Sequence, residues 1–227
     1  ATGETDGGIG WKVEMGLDTD NTDNSGGKSV DEGSVTLSGD FGSIRVGAVS
    51  SATTNVGLAD VGFDTIGIDD AAEKGRNAGA THDVEWHYNM DEIALTASID
   101  TSDDDMAISA GWSSGSLAIT VAHSAAGATG GATATAGSIG TSVGGFAVKM
   151  MAASHSTANY DSVGLSASMP VDGLGTVTFV TGSNDTDAKS SWGVGFSKAL
   201  GGGATLAGAY GSANGNDVAD IGIKLAF

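Results

Sequence analysis

Cysteine is absent from the 227 residues, and proline occurs once. Without thiols there is no disulfide framework and no thiolate metal centre, which fits a protein that crosses an oxidising periplasm. No window holds 18 consecutive apolar residues, so the chain offers no transmembrane helix. The opening ATGETDGG has neither a basic start nor an apolar middle. It is no signal peptide, and in an exported protein that segment would already be gone. Basic residues are scarce: nine Lys and Arg stand against 28 Asp and Glu, a formal net charge of −19. Phosphate backbones demand Lys and Arg, so nucleic acid is excluded as a partner. The acidity reads two ways, as solubility in a saline habitat or as a path that prefers cations.

What is abundant is glycine, 38 residues, within a chain that is still 40% hydrophobic. That hydrophobic share argues against a solvated coil. The dominant period is two. Ile9, Trp11, Val13, Met15 and Leu17 alternate with Gly10, Lys12, Glu14 and Gly16. Val84, Trp86, Tyr88 and Met90 enclose Glu85, His87 and Asn89, and Ile221, Ile223, Leu225 and Phe227 enclose Gly222 and Lys224. Strict alternation gives a strand one apolar and one polar face. Fourteen strands are expected: 8–18, 30–40, 42–50, 82–90, 92–100, 105–113, 116–124, 131–140, 144–153, 159–169, 173–182, 190–199, 202–211 and 217–227. Most have the roughly 9–11 residues that a tilted strand needs to cross a bilayer, where soluble strands usually have about 5–6.

The connections alternate in length. Asp40–Gly42, Met90–Asp91, Ser113–Gly115, Thr141–Gly144, Pro170–Gly173 and Leu200–Gly202 are tight. Asp18–Ser29, Ser50–Thr81, Thr101–Asp104, Ser124–Gly130, Ser154–Ala158, Gly182–Lys189 and Ser212–Asn216 are longer and polar or acidic. Short turns on one side and long loops on the other suit a membrane barrel. An even strand count puts Ala1 and Phe227 on the short-turn side, and closure removes exposed edges. The seven Trp and Tyr residues, Tyr160 among them, are expected within strands, compatible with interfacial girdles. The reading is all-β: one transmembrane antiparallel up-and-down β-barrel over 1–227, about 14 strands, with one long loop at 50–81.

Three stretches carry a family resemblance. Ser38-Gly39-Asp40-Phe41-Gly42-Ser43-Ile44-Arg45-Val46-Gly47 resembles the hairpin before the pore-constricting third loop of general bacterial porins. Val218-Ala219-Asp220-Ile221-Gly222-Ile223-Lys224-Leu225-Ala226-Phe227 is similar to a porin C-terminal strand, whose terminal aromatic serves that family as an assembly signal. Glu4 to Glu14 resembles the turn and strand after the first hairpin of alphaproteobacterial porins of the Rhodobacter type. Family members have sixteen strands. Either about thirty residues, some two strands, precede Ala1, or the barrel closes with fourteen. The arginines that the family carries on its first strands are missing here, so its pore charge arrangement does not transfer whole.

The resemblance implies an outer-membrane porin, not an enzyme: a water-filled channel for passive diffusion of ions and small hydrophilic solutes. It implies a homotrimer among outer-membrane lipid and lipopolysaccharide, and a 50–81 loop folded into the pore. The expected constriction residues are Lys12 and Arg45 on the wall, with Asp60, Asp64, Asp69, Asp70, Glu73 and Arg76 in the loop, where Lys74 also lies. Glu14, Glu85, His87, Lys149 and Lys224 are expected to line the lumen, with Phe227 as the assembly signal. Opposed charges across a narrow pore create a field that orders water and favours polar solutes. No cofactor is implied. Asp18, Asp20 and Asp23, and Asp103, Asp104 and Asp105, are candidate Ca²⁺ ligands, although neither run follows the EF-hand pattern. Gly111-Trp112-Ser113-Ser114-Gly115 spells a hydrolase elbow, but a strand follows it where a helix is required. The four histidines have no metal spacing. The rival reading is an acidic, Ca²⁺-stabilised surface-layer or adhesin-type β-protein. It predicts repeats of fixed period, and the sequence has none.

Overall fold

The computed structural model describes residues 1–16, 32–63, 66–79, 82–127, 131–156 and 160–226. Among the described residues fifteen strands form one sheet in sequence order, each antiparallel to its neighbours: an up-and-down meander. They are β1 Thr2–Glu4, β2 Gly10–Gly16, β3 Glu32–Gly39, β4 Gly42–Val49, β5 His82–Met90, β6 Ile93–Ile99, β7 Met106–Ser114 and β8 Leu117–Ala125, then β9 Thr133–Val143, β10 Phe146–His155, β11 Ser162–Val171, β12 Gly175–Asn184, β13 Ser191–Gly201, β14 Ala204–Ala213 and β15 Asn216–Leu225. All fourteen expected strands are present. One short further strand precedes them: β1 pairs with β2 through Thr2–Lys12, Gly3–Trp11 and Glu4–Gly10. Ala1 accordingly lies beside Val13, to whose carbonyl its ammonium donates at 2.9 Å, and not at the turn side.

The two faces are inverted relative to a soluble sheet. Met15, Val46, Met106, Ile108, Val121, Met150, Val163, Ile221 and Leu225 each keep half or more of their surface exposed. The opposite face buries Ser34, Thr96, Ser98, Ser109, Ser124, Ser138, Ser162, Ser166 and Ser191. Polar groups are thus inside and apolar groups outside, as a lipid solvent requires. β7 to β15 have nine to eleven residues each, the span of a bilayer. Among the described residues no helix is long and apolar enough to cross a membrane, so the crossing is made by strands.

Aromatic rings lie on the outer face, Trp112, Trp192 and Tyr210 near strand ends and Trp86 at mid-strand. Trp86 and Tyr88 stack at 5.8 Å, and Trp192 meets Tyr210 edge-on at 6.0 Å. Trp112 donates its indole N–H to Glu92 in the β6 turn at 3.1 Å. Such rings keep one edge wet and one face in lipid. Tyr160 departs from expectation: it lies between β10 and β11, against His155. The Ser212–Asn216 connection is also not a loop. Asn214 and Gly215 form a two-residue turn with φ of 46° and 83°, the positive pair that suits a type I′ hairpin.

The segment between β4 and β5 carries a short 3₁₀ helix, Ala52–Val56, and one α-helical turn, α1, Asp70–Glu73. It lies on the polar face of the sheet and touches the wall from β6 to β15. Ser98 of β6 and Ser109 of β7 bond its first limb, and Phe63 packs on Gly222 of β15. One segment can reach ten consecutive strands only if the sheet curls around it.

Candidate functional site

Two groups of charge occupy the polar face, one on the wall and one in the β4–β5 loop. The wall group follows from register, because residues opposite each other in a ladder share a face. Lys12 pairs with Thr36, Thr36 with Arg45, Arg45 with Glu85, and Glu85 with Ser98. Lys12 and Glu14, two positions apart on that face, form an ion pair at 2.6 Å. Arg45 donates to Ser34 Oγ at 3.0 Å. His87 meets Thr96 Oγ1 through Nδ1 at 3.1 Å. Lys12, Glu14, Arg45, Glu85 and His87 are therefore gathered on β2 to β5.

The loop group is built by docking. Ala52 donates its N–H to Ser98 Oγ at 2.7 Å, and the Asn55 amide donates to Thr96 Oγ1 and Ser109 Oγ at 3.0 and 2.9 Å. Ala78 N–H reaches Ser124 Oγ at 2.9 Å, and the Asn184 amide donates to the Ala71 carbonyl at 2.8 Å. Each such bond contributes about 0.5–1.5 kcal/mol net. Val56 and Ile68 are fully buried between the loop and the wall, worth about 1.5–3 kcal/mol apiece. Glycine makes the fit. A Cβ on Gly182 would stand 2.5 Å from Ala72 Cβ, and one on Gly222 would stand 2.6 Å from the Phe63 ring.

Within the loop, Glu73 is buried, accepts the Leu58 N–H at 2.5 Å and pairs with Arg76. Burial pushes the Arg76 guanidinium below its usual range, while Asp69, Asp70 and Asp60 act the other way. Burial, followed by the contact with Asp60, raises the Asp69 carboxyl to about 7. Lys74 reaches out to Asp187 at 3.2 Å. The Asn184 amide, then Lys74, hold the Asp187 carboxyl below its ordinary range. Lys149 of β10 donates to the Asn55 carbonyl at 3.4 Å, and Lys224 of β15 stands over the Phe63 ring at 5.9 Å. Among the described residues no ion pair joins the wall group to the loop group.

The docked loop has a cavity on each side. One of about 490 Å³ opens toward the long connections, lined by Asp70, Lys74, Arg76, Asp187 and Asn214. The other, about 370 Å³, faces the short turns, between Gly57–Ala59 and Ser116, Lys149 and Ser168.

Asp64, Phe227, Asp18, Asp20 and Asp23 lie outside the described residues. Asp105 is buried and accepts the Gly127 N–H at 2.9 Å, while Asp103 and Asp104 are exposed. Among the described residues no three acidic or imidazole side chains converge as a metal site. The sequence reading missed the docking residues: the serines of β6 to β11, Asn55, Asn184 and the inner-face glycines. The serine signal was available, since Ser98, Ser109, Ser124 and Ser162 all sit at inward positions of their alternating strands.

Comparison with known proteins agrees with this geometry. The family model for Gram-negative porins matches residues 1–218. A triple mutant of the Rhodopseudomonas blastica porin superposes with a TM-score of 0.82 at 18% identity, covering 100% of this chain and 88% of that one. A second mutant of the same porin gives 0.80 at 19%, with the same coverage. A structure described as asymmetric conductivity of engineered proteins gives 0.77 at 19%, again with 100% and 88% covered. No curated protein sequence matches the chain.

Proposed function

The chain belongs to the Gram-negative porins, and on that footing we propose how its interior serves as the channel. It is a porin of the bacterial outer membrane, and its function is that of an open channel. The observation that carries the finer reading is the inverted sheet: apolar side chains outside, hydroxyls and charges inside, and one docked loop across the interior. The interior is then water-filled, and the loop at 50–81 narrows it.

In this reading the constriction has two sides. Lys12 and Arg45 supply positive charge from the wall, with Glu14, Glu85 and His87 around them. Asp60, Asp69, Asp70 and Glu73 supply negative charge from the loop, partly offset by Lys74 and Arg76. Separated rows of opposite charge set up a transverse field that favours ions and small polar solutes over apolar ones. The overall excess of acid tilts the path toward cations. Solutes pass by diffusion, without a chemical step.

The assembly is a homotrimer embedded in outer-membrane lipid and lipopolysaccharide. The exposed apolar outer face supports a lipid surround. Liposome swelling tests the channel reading. Vesicles loaded with the protein should swell in small sugars and not in large ones. Absence of swelling with correctly folded protein would refute it. Cross-linking in mild detergent should give three-chain species, and a monomer alone would remove the trimer.

A further inference from the structure

The cavity on the short-turn side of the docked loop differs in charge from the rest of the molecule. Lys149 lines it, and none of the lining residues is acidic, in a chain whose net charge is −19. The cavity on the other side of the loop carries both signs, with Asp70, Glu73 and Asp187 beside Lys74 and Arg76.

Register supplies the hydroxyls. Lys149 stands opposite Gly140 and Ser166, while Ala147, two positions away on the same face, stands opposite Ser142 and Ser168. The Ser142 N–H donates to the Ser116 carbonyl at 3.0 Å, which adds a fourth serine to the lining. Among the described residues no hydrogen bond engages these four hydroxyls. Gly140 leaves room beside the lysine stem, since a Cβ there would lie 3.7 Å from Lys149 Cγ. The Lys149 ammonium has three N–H donors. The bond it makes among the described residues, to the Asn55 carbonyl, is long at 3.4 Å. It forms no ion pair there, and Glu73 of the loop is taken by Arg76 and the Leu58 N–H.

A half-enclosed ammonium without a counter-charge attracts an anion, and its bonds to an anionic oxygen are of the strong, charge-assisted kind. The serine hydroxyls can donate to further oxygens of the same molecule. One positive charge matches a carboxylate better than a phosphate, which carries more. A volume of about 370 Å³ admits a small organic molecule, and Leu58 and Ala147 offer apolar surface to its carbon body. Resting on the reading that this loop lies across the channel, we propose that the cavity is a subsite for small hydroxylated carboxylates, held by the Lys149 ammonium and the hydroxyls of Ser116, Ser142, Ser166 and Ser168. It gives organic acids a foothold in a channel whose overall charge turns anions away.

The probe is lactate, in a fixed excess of chloride. Saturation-transfer NMR on the detergent-solubilised protein should show saturable lactate binding. In planar bilayers lactate, but not its neutral amide, should reduce the single-channel current over the same concentrations. Lys149→Gln should raise the half-saturating concentration about tenfold or more, through loss of a charge-assisted bond. Gly140→Val keeps the charge, fills the space and should weaken lactate as well. Equal lactate binding by wild type and a folded, heat-resistant Lys149→Gln barrel overturns the proposal. So does an amide that binds as well as lactate, or inorganic phosphate that binds more tightly than lactate, results that need no variant to fold. Gly182→Val, which displaces the loop by bulk, separates this proposal from the reading beneath it. If lactate does not bind while Gly182→Val alters conductance, the subsite falls and the constriction stands. If lactate binds but neither it nor Gly182→Val alters the current, the constriction falls and the subsite loses its place in the channel.

Discussion

Gly182→Val should open the channel. Gly182 is on the inner face of β12, and the added Cβ would stand 2.5 Å from Ala72 Cβ, 2.9 Å from Ala72 N and 3.0 Å from its Cα. Carbon atoms rest at about 3.5–4.0 Å, so α1 must retreat by about 1 Å before the extra methyls are counted. The contact is with helix backbone, which cannot swing aside as a long side chain would. The strand itself tolerates the change, because Gly182 needs no positive φ and valine suits a strand. Overpacking of this kind costs about 1–3 kcal/mol. Placed on the docked state alone, that lowers the docked population ratio by about 5–150-fold. The readouts are single-channel conductance and the largest polyethylene glycol that still enters the pore, and both should rise. Gly137→Ala is the control: its outward Cβ would meet nothing closer than 3.7 Å, so conductance should hold. Unchanged conductance and size limit in a folded, heat-modifiable Gly182→Val barrel would refute the constriction by this loop.

Replacing Lys12 and Arg45 together with alanine removes the proposed positive side of the aperture; reversal potentials in a salt gradient should move toward greater cation preference, and a shift toward anions would contradict the assignment. Arg76→Ala leaves Glu73 buried without its guanidinium, a change that costs about 3–5 kcal/mol when a buried pair is broken. The loop should then become protease-sensitive and the open channel noisier, while barrel heat resistance is kept. Ser98→Ala strips the acceptor from the Ala52 N–H, about 1–3 kcal/mol against docking, and hydrogen exchange at Ala52 should accelerate with little change at β12.

Much of the fold was legible because lipid and water impose opposite chemistry on the two faces of every strand, and a period of two records that directly. β1 escaped because three residues, Thr2–Glu4, are too few to show alternation. The Asn214–Gly215 turn was hidden among polar neighbours that resemble a loop, although Asn-Gly is a strong hairpin signal. Tyr160 falls short of β11 because pairing there begins only at Ser162, opposite Asn184. The wall charges Lys12, Arg45 and Glu85 were legible as a group, since parity alone fixes their face. Docking of the loop was not. Gly164, Gly182, Gly193 and Gly222 look in sequence like any other strand or turn glycine, and only the fold shows that each faces a loop side chain.

The most direct test of the central claim, an open and passive pore, is single-channel recording in a planar bilayer under a salt gradient. Stepwise, long-lived openings with cation preference are expected, grouped in threes for the proposed trimer. Heat-resistant, folded protein that inserts but never conducts would contradict it.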